Sequence, residues 1–194
     1  MSMKNNLFAT ISSGKYKGKR LNLPSLSTTR STKSIVKESV FNSLQNDIYN
    51  SVFIELFGGS GLMAATAVSN YAKKGYAIEL DKLAFNSLKS NYDKIGDSDL
   101  IALYGDTFKL TPKIVDENIT QKIILYVDPP FDIRDGFDGI YDRIYELLAK
   151  LKVDIVVIEH ISSHNALDKI GELILYKSRK FGNTSLSYYT KCIS

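Results

Sequence analysis

The sequence predicts a doubly wound α/β fold, in which a mostly parallel sheet has helices on both faces and ends in an antiparallel hairpin. From residue 52 onward, short runs of apolar and β-branched residues alternate with longer segments of helical periodicity. This order is typical of parallel strands joined by right-handed crossover helices. The strand-like runs are apolar without clean alternation, which indicates strands covered on both faces. Two further runs flank Gly182-Asn183 and predict the hairpin.

The predicted elements follow in order along the chain. The parallel strands are assigned to the apolar runs at 52–57, 75–80, 100–104, 122–127 and 153–159. Helical periodicity predicts helices at 62–74, 81–94 and 140–150. Gly75 and Gly96 are the expected stops of the first two helices, and Asp81 is the expected N-cap of the second. The hairpin strands are predicted at 173–180 and 186–193.

The first 51 residues precede this alternation. Residues 32–45 predict an amphipathic helix, because their apolar residues fall on one face. These apolar residues are Ile35, Val36, Val40, Phe41 and Leu44. Residues 7–31 form short extended segments, and we expect a small β-hairpin around Lys17-Gly18. We therefore divide the chain into a basic N-terminal extension, residues 1–31, and an α/β domain, residues 32–194.

The formal net charge of +4 is unevenly distributed. The first 40 residues contain eight basic residues and one acidic residue, and therefore carry +7. The other 154 residues contain 17 basic and 20 acidic residues, and carry −3. A basic arm on a mildly acidic body indicates a polyanionic partner such as nucleic acid. From charge alone, a solvated arm that only aids solubility is an equally good interpretation.

Composition excludes several classes of protein. An apolar fraction of 44% and a charged fraction of 24% are those of an ordinary globular protein, not of a disordered chain. The first residues lack the apolar core of a signal peptide, and no apolar run approaches the roughly 20 residues of a membrane span. We expect a cytoplasmic monomer that does not bind membranes.

The cysteine and histidine content argues against a disulfide or a metal site. The single cysteine, Cys192, excludes an internal disulfide and an all-cysteine metal site, and it fits a reducing compartment. His160 and His164 are the two histidines, and no other histidine or cysteine lies nearby in the sequence to complete a metal site. We therefore expect no metal.

A glycine-rich turn follows the first predicted strand. Gly59, Gly61 and Ala64 fit the pattern G-x-G-x-x-G/A, which allows a tight turn and a close approach of a ligand to the backbone. Glu79 ends the next strand, 20 residues after Gly59, where a carboxylate suits the hydroxyl groups of a ribose. The pattern predicts a nucleotide-like ligand, and a turn that only packs helix on strand is the structural alternative.

Glu55 decides which nucleotide-like ligand we expect. It lies at the strand end before the turn, and a buried carboxylate there would repel the pyrophosphate of a dinucleotide. It would suit a ligand with a cationic amine and no phosphate, such as S-adenosylmethionine, which we favour over NAD. Phe57, in the same segment, also belongs to the predicted cofactor-binding residues.

The third strand is followed by Gly105-Asp106-Thr107-Phe108. An acid at this strand end suits a hydrogen bond from an adenine amine, with Phe108 packed on the base. Asp106 and Thr107 are therefore assigned to the cofactor-binding residues. The alternative is that Asp106 is the N-cap of the next helix, and the sequence does not separate the two interpretations.

The fourth strand ends in Asp128-Pro129-Pro130-Phe131. Two prolines stop the strand and stiffen the loop, at the sheet edge where ligands bind in such folds. The Asp128 carboxylate and a proline-restrained carbonyl can accept both N–H groups of a planar amine, and Phe131 offers a face on which a base stacks. Holding the amine in line with a sulfonium methyl group favours direct transfer. A structural Pro-Pro turn with a capping aspartate is the alternative.

These residues resemble the Asn/Asp-Pro-Pro-aromatic amino-methyltransferases, and more closely the bacterial 16S ribosomal RNA guanine-N2 methyltransferase family of the RsmD type. The resemblance covers nearly the whole chain. The segments that carry it are 13–21, 29–32, 36–44, 55–61, 78–81, 127–131 and 157–159. The basic segment GKYKGKRL and the helical segment VKESVFN are the most specific of them.

The resemblance implies an S-adenosylmethionine-dependent enzyme with the Rossmann-like class I methyltransferase fold. It would modify one guanine of 16S rRNA within a partly or fully assembled 30S subunit. The implied cofactor contacts are Glu55, Gly59, Gly61, Glu79 and Asp106. The implied catalytic contacts to the target base are Asp128, Pro129, Pro130 and Phe131. The implied RNA contacts are Lys15, Lys17, Lys19, Arg20 and Arg30.

Two other functions stay open at the level of the sequence. DNA methyltransferases that act on adenine or cytosine amines also use an Asp/Asn-Pro-Pro-aromatic loop, but 194 residues leave little room for a target-recognition domain. A non-catalytic RNA-binding assembly factor with a vestigial cofactor pocket is the other possibility. The intact glycine turn and Asp128 argue against it.

Overall fold

The computed structural model describes residues 7–24, 30–130 and 139–191, with the backbone alone for residues 30–33. The described residues form ten strands and five helices. The strands are β1 Phe8–Thr10, β2 Arg20–Asn22, β3 Val52–Leu56, β4 Lys74–Glu79, β5 Leu100–Tyr104, β6 Ile123–Val127, β7 Ile155–Ile161, β8 Lys169–Ile170, β9 Leu173–Phe181 and β10 Thr184–Lys191. The helices are α1 Arg30–Leu44, α2 Leu62–Ser69, α3 Lys82–Ile95, α4 Thr107–Glu117 and α5 Ile140–Leu148.

Eight of the described strands form one sheet in the order β5-β4-β3-β6-β7-β10-β9-β8. The first five are parallel, and β10, β9 and β8 pair antiparallel with their neighbours. The predicted sheet with its antiparallel C-terminal hairpin is therefore confirmed. The strand order switches between β3 and β6, and ligands of open α/β sheets bind in the crevice at the carboxyl ends of such a pair.

The sheet separates two apolar cores. On one face, Phe53, Tyr126 and Val157 pack with residues of α1, α2 and α3. On the other face, Ile54 and Val156 pack with residues of α4 and α5. Because successive residues of a strand point to opposite faces, strands covered on both sides are apolar along their length.

The small hairpin expected around Lys17-Gly18 is present as β1 and β2, which pair antiparallel. Ile11 and Leu21 are buried in the same core as α1, α2 and α3. The backbone N–H of Lys15 donates to the carbonyl of Ser69 at 2.8 Å. The basic hairpin is thus packed on the body of the protein, and the domain boundary after residue 31 stays a prediction.

Helix α1 begins at Arg30, two residues before the predicted helix. Val36, Val40 and Leu44 are buried, as the amphipathic pattern indicated. The prediction for Ile35 is wrong, since 54% of this residue is exposed. The buried stripe follows an i, i+4 spacing from Val36, which leaves Ile35 at its margin.

Helix α2 is shorter than the predicted helix. The expectation that it runs to Lys74 and stops at Gly75 is wrong, because α2 ends at Ser69 and Tyr71 has the left-handed φ of 68°. Gly75 lies in β4, where a Cβ atom would be 2.9 Å from the carbonyl oxygen of Ala64 in α2. This glycine allows close packing of helix on strand, and it does not end the helix.

The buried side chain of Asn91 on α3 joins the N-terminal hairpin to the turn after β3. Its Oδ1 accepts from the backbone N–H of Asn22 at 2.9 Å. Its Nδ2 donates to the carbonyl of Asn22 at 3.0 Å and to that of Ser60 at 2.9 Å. Since Asn91 is fully buried, losing its amide would leave these backbone groups without their partner.

We expect Asn91→Ala to lower the free energy of unfolding by about 3 kcal/mol, because three buried hydrogen bonds are lost. Urea unfolding followed by circular dichroism measures the change. Asn86→Ala is the matched control on the exposed side of α3, and it should change stability by less than about 0.5 kcal/mol. Equal stability of the two variants would contradict the bridging role of Asn91.

Candidate active site

The turn that joins β3 to α2 has an unusual backbone conformation. Phe57, Gly59 and Gly61 have φ angles of 60°, 52° and 73°, all in the left-handed region. For a bulky residue such as Phe57 this conformation costs on the order of 1 kcal/mol or more. A Cβ atom at Gly61 would lie 2.2 Å from Cδ1 of Leu88, whereas one at Gly59 would meet nothing within 4 Å. Packing on α3 therefore requires Gly61, and Gly59 leaves open space beside the turn.

The carboxylate of Glu79 holds this turn from the end of β4. Its Oε2 accepts from the N–H of Gly59 at 2.8 Å, and its Oε1 accepts from the N–H of Asp81 at 2.8 Å. The glycine turn and the acid that follows it in sequence are thus brought together, as the spacing indicated. Each carboxylate oxygen can accept more than one hydrogen bond, so these contacts are compatible with a ribose hydroxyl at Glu79. That ribose contact stays a prediction.

Glu55, on β3, is buried beneath the turn. Its Oε2 accepts from the N–H of Ala64 at 2.9 Å in the first turn of α2, whose N-cap residue, Gly61, has no side chain to cap the helix. Burial raises the pKa of Glu55 to about 8, and the nearby carboxylates of Asp128 and Glu79 contribute to this rise. The hydrogen bonds from backbone N–H groups act in the opposite direction and lower this pKa, but their effect is smaller than that of burial. A cation bound beside Glu55 would bring this pKa down.

A cavity of about 680 Å³ opens between the N-terminal hairpin, α1 and the carboxyl ends of β3, β6 and β7. Its charged lining is mainly acidic and includes Glu38, Glu55, Asp128 and Glu159. Lys37 is the one lysine or arginine among the described residues of this lining. Part of the apolar lining is contributed by Phe8, Phe57, Leu62 and Met63. The cavity therefore suits a ligand that combines positive charge with apolar surface.

The Asp-Pro-Pro segment follows β6 directly, at the switch point of the sheet. Asp128 is half-buried and lines the cavity, and Pro129 behind it is buried. Leu56 and Val127 pair in register in adjacent parallel strands, so the glycine turn and the Asp-Pro-Pro segment leave the sheet side by side. Phe131, the last residue of the predicted catalytic loop, lies outside the described residues, as does Cys192.

Asp106 caps helix α4, because its Oδ1 accepts from the N–H of Phe108 at 2.9 Å. The capping interpretation is confirmed, and the contact with adenine stays a prediction. Thr107 is buried, with its Oγ1 3.3 Å from that of Thr111. The rings of Phe57 and Phe108 meet edge-on, with centroids 6.1 Å apart. Asp106 and Thr107 are not among the described residues that line the cavity.

Lys37, Tyr126 and Glu159 line the cavity without having been predicted from the sequence to act there. The Tyr126 hydroxyl donates to Oε2 of Glu159, and burial raises the pKa of Tyr126 well above its usual value. Nζ of Lys37, which is buried, donates to the carbonyl of Thr10 at 2.6 Å, and burial lowers the pKa of Lys37. Lys37 and Glu159 lie in segments that carry the family resemblance, which was the one signal for them. Tyr126 has no comparable signal.

Two of the basic residues predicted to contact RNA anchor the hairpin instead of lining the cavity. Lys15 forms a salt bridge with Asp97 at 2.9 Å, and Nζ of Lys19 donates to the carbonyl of Ile95 at 3.1 Å. Both partners lie at the C-terminal end of α3, near the amino ends of β4 and β5. The cavity, in contrast, lies at the carboxyl ends of the parallel strands. The favourable position of Lys19 at a helix C-terminus adds to the anchoring.

The other predicted RNA contacts differ in their surroundings. The guanidinium of Arg20 lies 4.3 Å from the ring centroid of Phe8, a residue of the cavity wall. Lys17 is exposed. The side chain of Arg30 lies outside the described atoms. RNA binding by all five residues stays a prediction.

His160 and His164 cluster with tyrosines of α5. His160 Nε2 lies 2.9 Å from Oγ of Ser187, and burial lowers the pKa of His160. The rings of Tyr141 and His164 stack with centroids 3.9 Å apart. Across the part of the chain that is described, no three His, Cys, Asp or Glu residues gather as metal ligands would. Nor is any described helix both long and apolar enough to cross a bilayer.

A comparison with protein families decides the assignment. The family described as Conserved hypothetical protein 95 matches residues 9–190. The chain belongs to this family. The sequence motifs predicted a family of the RsmD type. This match and the names of the curated relatives confirm that prediction.

Two curated relatives of this chain carry the name Ribosomal RNA small subunit methyltransferase D. The protein of Buchnera aphidicola subsp. Baizongia pistaciae is 33% identical over 62% of this chain and 60% of its own length. The protein of Haemophilus influenzae is 32% identical over 62% of this chain and 63% of its own length. The chain thus spans about three fifths of the length of these curated relatives.

Several solved structures share the fold of this chain. The yhhF protein of Escherichia coli has a TM-score of 0.75 and 23% identity, and the match covers 95% of this chain and 98% of that chain. SMU.776, solved in complex with SAH, has a TM-score of 0.67 and 11% identity, over 98% of this chain and 57% of that chain. The predicted Rossmann-like fold is confirmed by these likenesses, which concern the fold alone at such identities.

Because burial raises the pKa of Glu55, the stability of the unliganded protein should depend on pH through this residue. The folded protein keeps the proton up to about pH 8, whereas the unfolded chain releases it near the ordinary glutamate value. Wild-type stability therefore falls as the pH rises between those two values. Glu55→Gln cannot ionise, so its stability relative to wild type should increase from about pH 5 to about pH 8 and then level off.

Urea unfolding of both proteins across this pH range measures the difference. Glu146→Gln, the same substitution at an exposed position of α5, is the control and should show no such trend. A stability difference between Glu55→Gln and wild type that stays constant with pH would contradict a protonated Glu55 in the unliganded fold.

Proposed function

We propose that this protein transfers a methyl group from S-adenosylmethionine to the exocyclic N2 amine of a guanine in 16S rRNA of the small ribosomal subunit. The observation that carries this proposal is the position of Glu55 and Asp128, which stand at neighbouring parallel strand ends and line one acidic cavity. The names of the curated relatives, which specify methylation of small-subunit rRNA, support RNA as the substrate.

The cavity lining fits the amino-acid end of S-adenosylmethionine, which carries an ammonium, a carboxylate and a sulfonium. Glu55 accepts hydrogen bonds from the ammonium, and the ligand's charge favours loss of the proton that burial keeps on the unliganded residue. Lys37, the single cation of the described lining, pairs with the ligand carboxylate. The remaining acids of the cavity give the sulfonium a favourable potential.

The adenosine end is assigned to the turn and to the neighbouring strand ends. Gly59 leaves room for the ligand beside the backbone. Glu79 accepts hydrogen bonds from ribose hydroxyls, and Asp106 accepts one from the adenine amine. Phe57, Gly61 and Thr107 support this end by fixing the turn and the start of α4. The bound SAH of SMU.776, which shares this fold, supports a ligand of this class.

Asp128 binds the amine that accepts the methyl group. Its carboxylate and the carbonyl of Pro129 accept the two N–H hydrogen bonds, while Pro129 and Pro130 have no N–H that would compete. Phe131 stacks on the base. S-adenosylmethionine supplies an electrophilic methyl group, so one N–C bond forms as one S–C bond breaks. The amine then gives up one proton, and Asp128 is the carboxylate that accepts it.

The proposed substrate is RNA and not DNA, because the curated relatives are named as methyltransferases of small-subunit ribosomal RNA. The target guanine must be unstacked or flipped out to reach Asp128. The protein acts in this proposal as a cytoplasmic monomer on a partly or fully assembled 30S subunit. Lys15, Lys17, Lys19, Arg20 and Arg30 contact phosphates and position the RNA without reading its bases.

Asp128→Ala should lower the kcat/KM of methyl transfer by about 100- to 10,000-fold, because the acceptor amine loses its hydrogen-bond partner and its proton acceptor. Transfer is measured with labelled cofactor on 30S subunits from a strain that lacks the enzyme. Digestion to nucleosides and mass spectrometry identify the methylated base. Asp128→Asn keeps an acceptor oxygen and should retain measurable activity.

Calorimetric binding of S-adenosylmethionine should stay nearly unchanged in Asp128→Ala, since this residue acts on the acceptor. Asp116→Ala, at an exposed position of α4, is the control and should behave as wild type. Full activity of Asp128→Ala would contradict its role. A methylated adenine or cytosine would contradict the substrate, and a wild-type protein that binds no S-adenosylmethionine would point to the assembly-factor alternative.

Lys37→Met should weaken S-adenosylmethionine binding by about 10- to 100-fold, because it removes the charge that pairs with the ligand carboxylate. Binding of methylthioadenosine, which lacks the amino-acid end, should be unchanged in the same variant. Calorimetry with both ligands measures the difference. Lys109→Met, at an exposed position of α4, is the control and should bind both ligands as wild type does. An equal loss for both ligands in Lys37→Met would show that Lys37 only supports the fold.

A further inference from the structure

Strand β9 carries a basic cluster that the overall charge of the chain hides. Lys177, Arg179 and Lys180 lie on this strand, in a part of the chain that is acidic on balance. Arg179 and Lys180 are exposed, and Lys177 is half-buried. The cluster lies far in sequence from the basic hairpin. Dividing the net charge between the first 40 residues and the rest of the chain therefore does not reveal it.

The register of the sheet places Arg179 in line with the cavity. Glu159, which lines the cavity, pairs with Leu186 on β10, and Leu186 pairs with Arg179 on β9. Residues paired in this way project to the same face of a sheet. Adjacent strands are about 4.8 Å apart, so the backbones of Arg179 and Glu159 are about 10 Å apart. Arg179 therefore stands beside the acidic cavity, on the same face as Glu159.

A β-bulge brings two more side chains to this face. The register between β9 and β10 shifts between Tyr188 and Tyr189, and Tyr176 and Lys177 both lie against Tyr188. The rings of Tyr176 and Tyr188 are 6.2 Å apart, and Nζ of Lys177 lies 5.2 Å from the centroid of Tyr188. Lys177 also donates to Oγ of Ser43 on α1 at 2.8 Å. The bulge thus holds the Lys177 cation in place, and the adjacent residue Tyr176 is 49% exposed.

We propose that Tyr176, Lys177 and Arg179 bind the RNA beside the target nucleotide. This inference rests on the proposed function, which supplies RNA as the substrate. The two cations, Lys177 and Arg179, contact phosphates, and the exposed face of Tyr176 stacks on an unpaired base. The basic hairpin packs near α3, at the other end of the sheet from β9. Arg20 of that hairpin lies against Phe8 of the cavity wall, so it contacts the RNA on the other side of the cavity.

Lysines on an outer strand have a second use, because charge prevents edge-to-edge association of sheets. Within the described residues, β8 pairs with β9 at Leu173 and Ile174 and leaves the rest of that edge without a strand. Charge reversal separates the two uses. A glutamate protects an edge as a lysine does, but it repels phosphate.

The test is the double variant Lys177→Glu/Arg179→Glu. Its affinity for 30S subunits should fall by about tenfold or more, and the slope of log affinity against log salt should flatten by about 1.5, because two phosphate contacts are lost. S-adenosylmethionine binding should be unchanged, and the variant should stay as soluble as wild type. Lys150→Glu/Lys152→Glu is the control with the same charge change. These two lysines precede the amino end of β7, away from the cavity at its carboxyl end.

A variant that matches wild type in KM for 30S subunits and in salt slope would overturn this inference and leave the methyl transfer untouched. A loss that the control variant shares equally would overturn it as well, because it would reflect net charge alone. If the wild type methylates no 30S subunit, the proposed function fails. Filter binding of the two double variants to 16S rRNA then still decides whether β9 binds RNA.

Discussion

Two carboxylates hold the turn between β3 and α2, and the rest of the site depends on them. Glu55 accepts from the N–H of Ala64, and Glu79 accepts from that of Gly59. The start of α2 has no capping side chain of its own, so Glu55 satisfies backbone donors that a neighbouring residue would usually satisfy. The acids proposed to bind the cofactor are thus also acids that shape the site. Replacing either one changes the shape of the site together with its charge.

Those parts of the fold that depend on local signals could be predicted from the sequence. Helix α3 begins after Asp81 and ends before Gly96, as its capping residues indicated, since both signals act within one turn of the helix. Gly75 was misleading because its reason lies elsewhere in the chain, where α2 packs against β4. The short strand β8 has no periodicity to reveal it and exists through its pairing with β9.

The site shows the same division between local and long-range causes. The acids at the strand ends could be predicted, because position at a strand end is a property of the sequence pattern. Lys37 could not be, since its burial depends on the β1–β2 hairpin, whose Thr10 carbonyl it contacts. Lys15 and Lys19 were assigned to RNA from their charge and the family resemblance, and their contacts with the end of α3 arise from how the hairpin docks. Partners distant in sequence therefore decide which cations face the ligand.

The cavity is enclosed by parts of the chain that are synthesised at very different times. Its walls include Leu7 and Phe8, near the beginning of the chain, and Glu159, on β7. During translation the hairpin and the glycine turn leave the ribosome long before Asp128 and Glu159 do, and pairing over such sequence distances must wait for the later strand. A nascent chain therefore has no closed pocket until β7 has joined the sheet. Ligand binding therefore depends on segments distant in sequence, which come together only after β7 has been synthesised.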